Sequence, residues 1–157
     1  MKINLSGFLT PFSFRSFTLL SLVLVLTGCS TFDRDYKAAL KQPVSADSPV
    51  GPWTGRWSSV KNSHEGELRC IVQKDISDDL YTARFEARFW KCFTYTSTAT
   101  LTMTPKVDEF QFDGTAQLGW LAGGEYKYEG RVNPKFFFSE YQCNWDNGTF
   151  YMERPKP

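Results

Sequence analysis

The residues of this chain that could do chemistry are few: one histidine, four cysteines and some clustered carboxylates. His64 and Cys70 are the only histidine and thiol close in sequence, and a Cys–His couple needs its side chains within hydrogen-bond reach. Six residues of extended chain would hold them roughly 20 Å apart, so His64 reads as a polar loop residue and Cys70 as a buried thiol. A zinc site wants three or four ligands, usually in short-spaced pairs. One histidine and no Cys-x-x-Cys do not supply them. "DISDDL" sets Asp75, Ser77 and Asp79 at the spacing of the first calcium-loop ligands, with Glu86 at the last position. Leu80 stands where that loop needs glycine, and Glu86 falls inside a strand pattern, so a solvated hairpin turn is expected. With no nucleophile–base pair, phosphate loop or metal cluster, neither enzymatic activity nor a cofactor nor a metal is expected.

The remaining reactive residue is Cys29, and its setting differs from the others. No charge occurs from Ser16 to Phe32, the solidly apolar run spans only Phe17 to Leu26, and Lys2 and Arg15 precede it. A helix crossing the bilayer needs roughly 20 apolar residues, so this run is too short to span. Basic flank, short apolar run and small residues at Thr27 and Gly28 are the parts of a secretory signal. The tetrad Leu26, Thr27, Gly28, Cys29 resembles the lipobox of bacterial lipoprotein signal peptides. The resemblance implies that Cys29 receives a diacylglycerol, that residues 1–28 are removed, and that the new amino group is acylated. Several acyl chains anchor stably where one is marginal. Ser30 stands where an Asp would resemble an inner-membrane retention signal, so the periplasmic face of an outer membrane is favoured.

These residues must be positioned by something, and the sequence divides accordingly. Residues 29–52 read as a lipidated N-terminus, one short helix and a linker. "TFDRDYKAALKQP" has acids early and lysines late, the order a helix dipole favours, and Pro43, Pro49 and Pro52 mark the linker. Taken as flexible coil, about 23 such residues reach about 26 Å, which would stand the domain off the membrane.

From Trp53 to Pro157 the period is two. "LYTARFEARFW" alternates Tyr81, Ala83, Phe85, Ala87 and Phe89 with polar residues, and "FTYTSTATLTMT" sets a row of threonines opposite Tyr95, Ala99, Leu101 and Met103. "EGELRCIVQK", "EFQFDGTAQL" and "EYKYEGRV" alternate likewise, and "WTGRWSS", "KFFFSEYQ" and "GTFYMER" bring the total to eight strands, separated by turns such as "KNSHEG", "LAGG" and "WDNG". The expected fold is all-β: an eight-stranded antiparallel up-and-down meander closed into a barrel, which removes exposed edges. Large and small inward residues interleave as a tapering barrel requires. "GPWTGRW" resembles the Gly-x-Trp first strand of lipocalin and avidin-like barrels, while "AQLGWLAGGEYKYEG" and "DNGTFYMERP" are similar to segments of uncharacterised bacterial lipoproteins.

Aromatic residues make up 17% of the chain. Tyr81, Phe85, Phe89, Tyr95, Phe110, Phe112, Tyr126 and Tyr128 face inward and are candidates for lining an apolar ligand pocket, with a solid core as the favoured reading. Trp120 is expected to cap a barrel end, with exposure toward lipid or a partner as the alternative. Once Cys29 is acylated three cysteines remain, and strand 4 begins at the rim where strand 7 ends, so Cys92 and Cys143 are the disulfide candidates. The chain carries 18 basic and 17 acidic residues, a balance that excludes nucleic acid as a partner. The expected role is a membrane-anchored envelope module, structural or binding a small apolar molecule; the alternatives are an interaction subunit of an envelope complex and, behind it, an enzyme whose site carries no recognisable motif.

Overall fold

Period-two alternation obliges each strand to bury one face, and eight successive strands do so by curling against one another. The structure, a computed structural model, describes residues 28–45, 47–89, 93–120 and 123–156, with 28–30 described by backbone alone. One helix, α1 (Gly28–Ala39), precedes β1 (Gly51–Ser59), β2 (Glu65–Lys74), β3 (Leu80–Phe89), β4 (Phe93–Pro105), β5 (Phe110–Gln117), β6 (Glu125–Val132), β7 (Phe136–Gln142) and β8 (Asn147–Glu153). Each strand pairs antiparallel with the next, and β8 returns to β1, closing the expected meander. The first strand begins at Gly51, two residues before Trp53.

The register keeps all inward residues on one side. Trp53 lies opposite Cys70, Cys70 opposite Phe85, and Phe85 opposite Ser97. Small residues sit beside large ones so that the lumen fills: Gly114 lies between Leu101 and Tyr128, and Gly130 between Phe112 and Ser139. A Cβ at Gly148 would stand 2.7 Å from the Tyr141 ring, so only glycine lets that ring lie flat. Trp53, Leu68, Leu101, Met103, Val132, Phe137 and Met152 are fully buried in the resulting core. The outward positions of the wall carry Thr96, Thr98, Thr100, Arg56, Glu67 and Arg88, side chains suited to water rather than to lipid tails. Among the described residues, no helix is long and apolar enough to cross a membrane.

The barrel has two unlike ends. At the linker rim lie the start of β1 and the turns at 75–79, 106–109 and 133–135. At the tryptophan rim lie the turns at 60–64 and 143–146 and the β5–β6 loop from Leu118 to Gly124. Residues 1–27 of the expected signal peptide 1–28, Leu26 and Thr27 among them, lie outside the described residues, as does Cys92.

Candidate functional site

The first feature to build up is the seat of α1. Phe32 and Tyr36 are one helical turn apart, so they share a face. Both are buried, stacked at 5.8 Å between ring centroids, and packed on Ile71, an outward-facing residue of β2. The guanidinium of Arg69 lies over both rings, 5.4 Å from Phe32 and 5.1 Å from Tyr36, the geometry of a cation–π contact. Arg69 donates to Glu86, a carboxylate only 5% exposed, and at 2.6 Å to Asp33 of the helix. Arg84 donates to Asp35 at 2.9 Å, and the Tyr36 hydroxyl donates to the Trp53 carbonyl at 3.1 Å.

Charge states follow from these contacts. Hydrogen bonds from Arg69 hold the Asp33 carboxyl below its usual range, and those from Arg84 and Arg34 do the same for Asp35. Burial alone would ease Arg69 toward deprotonation, but the Glu86 and Asp33 carboxylates outweigh it and hold the guanidinium charged. Each large apolar side chain buried here contributes about 1.5–3 kcal/mol. Residues 31–39 are therefore not the flexible coil that the reach of about 26 Å assumed. The expected helix exists, but it is clamped to the wall, because its one apolar face finds a bare Ile71 framed by arginines.

The linker is strapped too. Arg154, just past β8, donates to the carbonyls of Ser48 at 2.6 Å and Pro52 at 3.2 Å, and its guanidinium lies 3.7 Å from the Trp53 ring. Burial lowers the Arg154 pKa to about 10. Trp53 itself donates to the Pro49 carbonyl at 2.9 Å, so the linker rim is closed from inside and outside.

The interior candidates are brought together, and they pack as core. Phe85 touches Tyr128 at 5.8 Å, Phe137 at 6.3 Å and Phe150 at 5.4 Å between centroids, and Phe112 lies 4.9 Å from Phe137. Tyr81 is buried at the other end of its strand. Phe89, Phe110 and Tyr126 are partly buried around that cluster, and Tyr95 donates to the Leu118 carbonyl at 3.4 Å. Burial pushes the hydroxyls of Tyr126, Tyr128 and Tyr141 well above the ordinary phenol value. Trp53, Phe137 and Phe150, outside the expected pocket lining, belong to the same ring cluster. Trp53 and Phe150 are readable from the inward phase of "GPWTGRW" and "GTFYMER", whereas the unbroken run "FFF" hides Phe137.

The other candidates are placed as follows. Cys70 is buried with its thiol pushed well up by desolvation, and it sits on β2 six residues along the chain from His64, which is exposed in the turn leading into that strand. Glu86 is engaged by Arg69, so it does not join Asp75 and Asp79 in a loop. Among the described residues no three His, Cys, Asp or Glu side chains could share a metal. Cys143 is a free thiol whose sulfur accepts from the Asp146 amide at 3.3 Å, while its candidate partner Cys92 lies outside the described residues.

At the tryptophan rim the expectation for Trp120 is overturned. It is 78% exposed and caps nothing. Gly119, Gly123 and Gly124 all hold positive φ, and the loop closes through Gly124 N–H to the Gly119 carbonyl at 2.9 Å, which turns the indole outward. Phe93 and Trp145 are also more than half exposed at this rim. Comparison of the chain with protein-family models, curated proteins and solved structures finds no match.

Proposed function

We propose that the protein is a lipid-anchored lipoprotein of the bacterial cell envelope, held by acylated Cys29 at the periplasmic face of the outer membrane. Its barrel, of a type compatible with lipocalin-like barrels, acts as a non-enzymatic binding or structural module. The observation that carries the reading is a junction. The lipobox-like Leu26, Thr27, Gly28 and Cys29 end at the helix whose Phe32, three residues on, is already seated in the wall. Ring-on-ring packing of the lumen favours a role for the surface over one for an internal apolar ligand. A second reading, an interaction subunit of an envelope complex, is favoured by the exposed Trp120 and Trp145.

Cys29→Ala tests the anchor. The expected outcome is loss of palmitate labelling, an uncut precursor and loss of membrane attachment through lipid. Normal cleavage with normal membrane fractionation in that variant would refute it.

A further inference from the structure

The described residues of the two rims differ in composition. The turns of the linker rim hold Asp75, Asp78, Asp79, Asp108 and Glu109 against Lys106 and Lys135. Their two exposed aliphatics, Ile76 and Val107, stand singly among those acids. Among the described residues of the tryptophan-rim turns, the one acid is Asp146. Its carboxylate is turned inward to the Ser59 hydroxyl at 2.6 Å and the Tyr141 hydroxyl at 3.0 Å. The same rim exposes Trp120, Trp145, Val60 and Phe93, with Lys61 donating to the Trp145 carbonyl at 2.8 Å.

The helix points the same way. Tyr36 reaches β1 through the Trp53 carbonyl, whereas Phe32 borders a depression of about 320 Å³ with Thr96, Thr98, Gln117 and Leu118. Leu118 opens the loop that carries Trp120. One further helical turn, about 5.4 Å, continues this line to Gly28 and Cys29 at the start of the helix.

We infer that the tryptophan rim docks on the bilayer surface, with Trp120 and Phe93 entering the headgroup layer beside the lipid on Cys29. The inference rests on the lipoprotein reading. Tryptophan is favoured where one edge meets apolar chains and the other meets water. An anionic leaflet repels the rim whose turns hold five acids more strongly than the rim whose described turn residues hold one, with Glu65 and Glu125 at its strand ends. A clamped helix leaves too little slack for the barrel to tumble freely above its anchor.

The test uses the full acylated protein in vesicles of phosphatidylethanolamine and phosphatidylglycerol with brominated acyl chains. The expected result is a blue-shifted tryptophan emission that the brominated lipid quenches. Most of that quenching should be lost in a Trp120→Ser, Trp145→Ser double variant and kept in an Ile76→Ser, Val107→Ser double variant. Circular dichroism checks that both keep the barrel. Acylated, vesicle-bound protein whose emission is unquenched and remains open to iodide would overturn the docking and leave the rim to a protein partner. Protein that carries no lipid label would instead fail the anchor reading and take the docking with it.

Discussion

Trp53 and Trp120 stand at opposite ends of one barrel and do opposite things. Trp53 is fully buried, donates its indole N–H to Pro49 and lies under Arg154. Trp120 is 78% exposed on a loop whose glycines turn it outward. Backbone context separates them. A strand residue with inward phase has a core to enter, whereas a side chain on a left-handed glycine loop has none. One end of the molecule is spent on closure, and the other is left apolar toward its surroundings.

The largest expected difference follows from this. Trp53→Ala should cost about 3–5 kcal/mol of unfolding free energy, since it removes a core ring and strands Arg154. Trp120→Ala should stay within about 0.5 kcal/mol. Urea unfolding of the two variants measures both, and equal costs would erase the contrast between the rims.

Next in size is the helix seated on the outer wall through Phe32 and Tyr36. Phe32→Ala should weaken docking of α1 by about 3 kcal/mol. Hydrogen exchange should quicken across residues 31–39 while the strands stay protected. Equal loss of protection throughout would mean that helix and barrel unfold as one unit.

A smaller effect is set by pH. Asp33 and Asp35 titrate below the ordinary carboxylate value of 3.8 when docked. A carboxyl with lowered folded pKa contributes stability that is present above its unfolded pKa and is lost as pH falls through the folded one. The helix should therefore loosen as pH drops below 3.8 while the barrel, whose core is apolar, persists. Loss of near-ultraviolet ellipticity at the same pH as helix release would count against this.

The smallest change concerns the thiols. Iodoacetamide should reach Cys143 first and Cys70 only on unfolding, because burial raises the Cys70 pKa and hides the sulfur. A Cys143 that reacts only after reduction would instead reveal the pairing with Cys92.

The fold was legible because its rules are local. Alternation set the inward phase of Phe85, Tyr128 and Leu101, and Gly, Asn and Asp clusters placed the turns. The docking of α1 was not, since "TFDRDYK" offers only Phe32 and Tyr36 as apolar residues, and their receptor Ile71 lies on the outer face of a strand read for its inner one. Nor was the outward turn of Trp120, which depends on the φ angles of Gly119, Gly123 and Gly124 rather than on any periodic pattern. Outward-facing Phe136 and Phe138 were hidden by the unbroken run "FFF", which masks the alternation. Phe136 stacks on Tyr151 at 6.3 Å on the outer wall.

The central proposal is that the barrel is held against a bilayer rather than tethered above it. Neutron reflectometry on a supported bilayer carrying the acylated protein measures that gap directly. The account predicts barrel density in contact with the headgroups and no intervening water layer. A hydrated gap approaching the roughly 26 Å reach of a free tether of this length would contradict it.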